Sequence, residues 1–185
     1  DTTWAGLTSK TDSHDGYLEK HEPSPDERAN LVKDFVNEGK DMNAAGYCST
    51  YINNFFIWNT NGLNSTDTSS SAFIDGIFRT DTSAGSSHRG AVDIKDLDAA
   101  QTGNEAASLA IDSQNPVDID PGKYEVILGH EAVSTILVFL SVYGLNAKSK
   151  IDGMSPILIN EKQFDEKITL IDTPEDDESI GFKID

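Results

Sequence analysis

Cysteine is almost absent: Cys48 is the single one in 185 residues. An internal disulfide is therefore impossible, and one thiol suits a reducing compartment. Cys48 stands in no metal-ligand spacing and reads as a small buried hydrophobe or an exposed bystander. Basic residues are also scarce, with 14 Lys plus Arg against 32 Asp plus Glu and a formal charge of -18. That field repels phosphate backbones and anionic lipid, which argues against direct nucleic-acid binding. The start lacks the basic, apolar and small-residue succession of a signal peptide, and Asp1 rather than Met stands first, so a processed chain or a piece of a longer one is expected. Long apolar runs are few. The longest, 126–145, approaches a membrane span in length but contains Gly129, His130 and Glu131. A core strand followed by a core helix is the better reading, and no membrane partner is expected.

What the chain does have is centred on residues 121–140, a turn at Pro121-Gly122, an apolar strand from Tyr124 to Leu128, and a helix opening on His130-Glu131. The helix is apolar almost all round, the pattern that burial on every side requires. A His-Glu pair on such a helix is where a zinc peptidase keeps its metal. At this length the chain can bury one substantial core, or one core and part of a second.

Taken in order, residues 1–23 are polar and turn-rich, with His14 and His21 too far apart in a loop to imply a metal site. Ser24-Pro25-Asp26-Glu27 is a capping box with Pro at the first helical position. Leu31, Val32, Phe35 and Val36 follow at helical spacing up to Gly39. From Ala44 the bulky and branched residues Tyr47, Tyr51, Phe55, Phe56, Ile57 and Trp58 suit strands. Tight turns are expected at Asn53-Asn54 and Asn61-Gly62, giving a meander. The Ser/Thr-rich segment from Leu63 to Ser71, continuing into Ala72-Phe73-Ile74 and Ile77-Phe78, fits an exposed antiparallel strand.

Thr80 to Gly90 reads as a Ser/Gly-rich loop containing His88-Arg89. Its Ser-His pair lacks an orienting acid or an oxyanion hole, so hydrolase chemistry is not read there. Asp96 or Asp98 can cap an Ala-rich helix through Leu97, Ala100, Ala106, Ala107, Leu109, Ala110 and Ile111, which ends before Pro116 and whose small residues suggest close packing on a sheet. Gly144 is a helix stop. Residues 148–164 are irregular, Lys167 to Ile171 is one more strand, and Asp172 to Glu178 is an acidic turn without the carboxylate spacing of a calcium loop.

Several pieces fall in a distinctive order: Ala45-Gly46-Tyr47, Asn59-Thr60-Asn61-Gly62-Leu63, Gly103-Asn104-Glu105-Ala106-Ala107, Pro121-Gly122-Lys123-Tyr124-Glu125-Val126, and Thr169-Leu170-Ile171-Asp172-Thr173-Pro174. From about residue 40 onward this order resembles the TldD/PmbA family of modulator-of-gyrase or microcin-processing proteins. The resemblance implies a cytoplasmic two-subunit peptidase, in which a TldD-type chain carries a His-Glu-x-x-x-His motif and a PmbA-type (TldE) partner lacks it. It also implies a role in maturing peptide antibiotics and degrading small unfolded peptides.

In this sequence His130 and Glu131 match the motif's first two positions, but Thr135 stands at the second His and Ser134 at the position an ordinary zincin would use. The third ligand implied by the resemblance is a late Cys, which Cys48 does not match. Past the Asp-Thr-Pro turn only Gly181, Phe182 and Asp185 of the family's further signature are present, so a truncated chain is expected.

The expected architecture is α+β, mostly antiparallel sheet with covering helices over residues 1–120, followed by the beginning of a second α+β domain over 121–185. The expected role is a PmbA/TldE-like subunit with a vestigial motif and no metal or cofactor of its own, zinc being supplied by a TldD-type partner. A homo-oligomer is the other assembly expected, with peptide as substrate. A non-catalytic peptide-binding or scaffold protein is the alternative, and an active metallopeptidase in its own right the weakest reading.

Overall fold

The computed structural model describes residues 6–10, 13–171 and 180. Packing divides the chain after Val117, with a second unit over Asp118–Asp172.

The first unit is a four-stranded sheet carrying two helices. Helix α1 (Pro25–Glu38) starts where its capping box dictates: the Ser24 hydroxyl accepts from the Glu27 amide at 3.2 Å, and the Glu27 carboxylate accepts from the Ser24 amide at 2.8 Å. Two amides that the helix itself leaves unpaired are thereby satisfied. Strands β2 (Asn43–Trp58) and β3 (Asn64–Arg79) form one antiparallel hairpin in unbroken register from Asn43↔Arg79 to Trp58↔Asn64. Its turn is at the expected Asn61-Gly62: Asn59 Oδ1 accepts from the amides of Asn61 and Leu63, and Gly62 takes φ +85°. The turn expected at Asn53-Asn54 does not exist. There β2 runs straight through, and the Asn54 side chain accepts instead from Thr68 Oγ1 across the ladder at 3.0 Å. One long hairpin replaces the meander.

β3 is the central strand. It pairs with β2 on one side, and on the other with β1 (Asp15–Gly16, parallel) and β4 (Ala84–Ala91, antiparallel). The Ser/Thr segment expected to be exposed is strand, but Ser65, Asp67, Thr68 and Ser69 are buried. Residues 13–18 lie against it and satisfy its polar groups. Ser65 Oγ accepts from the His14 amide, Thr68 Oγ1 accepts from the Leu18 amide, and the Thr66 amide donates to the His14 carbonyl. Hydrogen bonding of this kind is what lets hydroxyls enter a covered strand at small net cost.

β4 corrects the expected loop at Thr80 to Gly90. Gly85 is the condition for α2 (Ala99–Asp112) to approach, since a Cβ there would overlap the α2 backbone at Ala106 and Ala110. Asp98, not Asp96, caps α2, its carboxylate accepting from the Gln101 amide at 2.8 Å, while Asp93 caps the preceding 3₁₀ turn Ile94–Asp96. The core lies between sheet and helices, with Phe35, Ile74, Phe78, Ile94, Leu97, Ala106 and Ala110 in one cluster. At its centre the Phe35 and Phe78 rings stack at 5.0 Å.

The second unit contains α3 (His130–Phe139), a π turn (Leu140–Gly144) and a short helix α4 (Ala147–Ile151) inside the region expected to be irregular. Two expected strands are absent among the described residues. Tyr124 to Leu128 and Lys167 to Ile171 have no ladder partner, and Ile127 is fully exposed. β-type side chains suit a pleated surface, but a strand exists only as one side of a pair. The acidic turn at Asp172 to Glu178 lies outside the described residues.

Candidate functional site

Helix α3 begins at Gly129, which has extended backbone angles and no side chain to cap the helix. Its carbonyl accepts from the Val133 amide at 3.1 Å. His130 and Glu131 therefore occupy the first turn, as expected, with His130 exposed and Glu131 half-buried. A carboxylate there faces the positive end of the helix dipole, a favourable placement of roughly 0.3–1 kcal/mol. The helix itself corrects the expectation of burial on every side: Val133, Ile136, Leu137, Val138 and Phe139 are each between 39% and 58% exposed.

The far end of α3 is held by polar contacts. Ser149 Oγ of α4 donates to the Val142 carbonyl at 3.2 Å and Ser155 Oγ, beyond α4, to the Gly144 carbonyl at 2.6 Å, so two carbonyls of the π turn are occupied by hydroxyls from the chain that follows. Phe139 and Tyr143 stack at 6.0 Å on the same segment.

The donor set does not fit a catalytic zinc. Such an ion takes three protein ligands, usually imidazole, carboxylate or thiolate, and keeps one position open. Here the positions after His130-Glu131 offer two hydroxyls. Thr135 Oγ1 donates to the Glu131 carbonyl at 3.1 Å, turned back onto its own helix. In an α-helix, residues five apart are also ~140° apart around the axis, whereas residues four apart differ by ~40°. Ser134 thus shares the face of His130, and Thr135 does not. Among the described residues no three His, Cys, Asp or Glu side chains come together in a way that would hold a metal ion.

The other residues singled out in the sequence are dispersed. Ser87 and His88 are neighbours on β4, so they point to opposite faces of the sheet and form no nucleophile pair. His88 stands opposite Asp75 in the ladder. Cys48 lies on β2, where burial pushes its thiol pKa up against the opposing charge of Arg28. His21 approaches Glu27 at 3.9 Å, and His14 is tied by its backbone to β3.

Two features were not read from the sequence. One is a polar cluster between β4 and α2. Arg89 Nη2 donates to both carboxylate oxygens of Glu105 at 2.6 Å, Ser87 Oγ donates to Glu105 at 3.0 Å, and Gln101 Nε2 donates to it at 3.3 Å. Burial alone would raise the Glu105 pKa, but the Ser87 hydrogen bond and the Arg89 charge outweigh it and hold the carboxyl below the usual glutamate value. The available signal was periodicity: Ser87 and Arg89 are two apart, as on one strand face, and Gln101 and Glu105 four apart, as on one helix face. The other is a cavity of about 260 Å³ between α1 and β2, lined by Val32, Phe35, Val36, Ala44–Tyr47, Ile74 and Asp75. The spacing of Val32 and Val36 marks one helix face, but no sequence pattern places it beside Gly46.

Residues 121–184 match the model of the PmbA/TldA metallopeptidase C-terminal domain. Among solved structures the chain is similar to a Thermotoga maritima protein described as a candidate modulator of a DNA gyrase, at 21% identity and a TM-score of 0.46. That alignment covers 60% of this chain and 30% of the Thermotoga chain. No curated protein matches.

Proposed function

We propose that this chain, whose residues 121–184 match the PmbA/TldA metallopeptidase C-terminal domain, is the PmbA/TldE-like, metal-free subunit of a cytoplasmic peptidase of the TldD/PmbA family acting on peptides. One observation carries the reading. On the helix where the family resemblance implies His-Glu-x-x-x-His, the sequence keeps His130 and Glu131 but replaces the second imidazole by the Thr135 hydroxyl. A hydroxyl is a poor substitute for imidazole nitrogen toward zinc. The catalytic metal then belongs to a TldD-type partner, and this chain contributes surface that admits and orients peptide.

Activity should therefore require two chains. Hydrolysis of a quenched-fluorescence peptide is expected from a mixture of this protein with a chain carrying the complete motif, at a rate well above that of the second chain alone. Neither His130→Ala nor Glu131→Gln in this chain should lower the rate of the mixture. Hydrolysis by this chain alone, abolished by Glu131→Gln, would overturn the assignment in favour of a self-sufficient metallopeptidase.

A further inference from the structure

Residues 17–23 cross the helix-covered face of the sheet on the way to α1. The Leu18 amide donates to Thr68 Oγ1 at 3.1 Å and the Tyr17 ring meets Phe56 at 6.2 Å. Arg28 Nη1 then donates to the Pro23 carbonyl at 2.7 Å and to Thr50 Oγ1 at 3.2 Å. Two cavities open beside this segment, of about 100 Å³ and about 300 Å³, and Lys20 and Ile52 line both. The smaller one also has Asp93, just past β4, and further apolar lining from Ala72, Val92 and Ile94. Apolar walls with a few convergent polar groups are the usual make-up of a small-molecule site.

The two charges of the smaller cavity stand unmatched. In a chain where 32 acidic residues face 14 Lys plus Arg, a half-buried ammonium ordinarily has a carboxylate beside it. Lys20 is half-buried and has no ion pair or side-chain hydrogen bond among the described residues. The cations near it are engaged elsewhere, His21 with Glu27 at 3.9 Å and Arg28 with Pro23 and Thr50. Asp93 Oδ1 accepts from the Lys95 amide at 3.0 Å, and its Oδ2 has no partner among the described residues. Lys20 and Asp93 thus line one small cavity without pairing with each other.

We infer that this cavity binds a free α-amino acid with a small apolar side chain, its carboxylate toward Lys20 and its ammonium toward Asp93. Ligands of one charge fit worse. Phosphate would bring a dianion beside the Asp93 carboxylate, a simple carboxylic acid would leave that carboxylate unmatched, and an amine would meet the Lys20 ammonium. A zwitterion answers both groups, while Ile52 and Ala72 take its side chain. A volume of about 100 Å³ admits a molecule of this size and no polymer.

This goes beyond the peptidase reading, and its test is independent of that reading because it measures binding to this chain alone, without hydrolysis. The probe is L-valine, titrated into the full chain by calorimetry. Saturable binding in roughly the millimolar range is expected. Lys20→Met and Asp93→Asn should each weaken it about tenfold or more, the loss of one charge-assisted hydrogen bond. Asp93→Asn retains an oxygen for the Lys95 amide, and circular dichroism checks that both variants fold. Lys33→Met, an exposed position on α1, should change nothing. Valinamide, without the carboxylate, should bind about tenfold more weakly and be indifferent to Lys20→Met; N-acetylvaline, without the ammonium, should be indifferent to Asp93→Asn. Failure of valine to saturate by about 50 mM, or an affinity unmoved by Lys20→Met or by Asp93→Asn, would overturn the assignment. Phosphate binding as tightly as valine would equally overturn it, in favour of a plain anion site, and so would tighter binding of valyl-valine, in favour of a peptide terminus.

Discussion

Replacing Phe78 by Ala should remove the centre of the first unit's core. Phe78 is 0% exposed and its ring stacks on Phe35 at 5.0 Å. The surrounding backbone is fitted to those rings, since a Cβ on Gly39 would overlap Phe78 and one on Gly76 would overlap Phe35. The loss combines the transfer energy of a buried ring with a cavity that a strand pinned on both sides cannot collapse, about 3–5 kcal/mol for Phe→Ala. For a unit of this size that is a fall in Tm of roughly 12–20 °C, and a large share of the 5–15 kcal/mol that holds a typical domain folded. The control is Phe56→Ala on β2, whose ring is 53% exposed and should cost about 1 kcal/mol or less. Urea titration by far-ultraviolet circular dichroism, with equal slopes for all variants, separates the two. A loss below about 1 kcal/mol for Phe78→Ala, or equal losses for both variants, would refute the placement of the core.

The Arg89–Glu105 cluster gives a pH dependence. Because the folded pKa of Glu105 is lowered, its contribution is fully present above the ordinary glutamate value and is lost as pH falls through the folded one. Glu105→Gln should therefore be destabilising at neutral pH, with its difference from the parent fading in acid melts, and a difference that grows toward low pH would contradict the sign. The exposed apolar side chains of α3 should drive association with a partner or a second copy. Ile136→Asp combined with Phe139→Asp should then shift sedimentation toward monomer, an expectation that fails if the parent is monomeric at all accessible concentrations. Thr135→His adds a nitrogen ~140° around the helix from His130 and supplies no third ligand. Isothermal titration should find weak zinc binding at most, with no peptidase activity; tight stoichiometric binding would show that the first turn of α3 rearranges.

The capped helices were legible because their signals are local. Ser24 with Glu27 and Asp98 with Gln101 act within four residues, and Asn61-Gly62 closes the hairpin by the same kind of short-range geometry. What misled was composition whose meaning depends on distant neighbours. The serines and threonines of β3 look solvent-facing until residues 13–18 cover them, and the Gly/Ser run of β4 looks like a loop until α2 packs onto it. Asn53-Asn54 has turn chemistry, yet both residues keep their places in the ladder opposite Ser69 and Thr68, where Asn54 also accepts from Thr68 Oγ1. Tyr124 to Leu128 has strand chemistry but no partner strand among the described residues. The His130-Glu131 pair was visible in the sequence as the start of a helix. That Thr135 turns back onto the Glu131 carbonyl is set by its rotamer on the helix, which no sequence pattern specifies.

The claim that this chain does not complete a zinc site is tested most directly by equilibrium dialysis of the purified protein against zinc, followed by elemental analysis and by thermal melts with and without chelator. Metal bound to the native state alone would stabilise it by about 2.7 kcal/mol at a free concentration a hundredfold above Kd, a shift of several degrees in Tm. With hydroxyls at Ser134 and Thr135, the expectation is zinc well below one equivalent and a Tm indifferent to chelator. One zinc per chain, removed together with the thermal shift by His130→Ala, would contradict it.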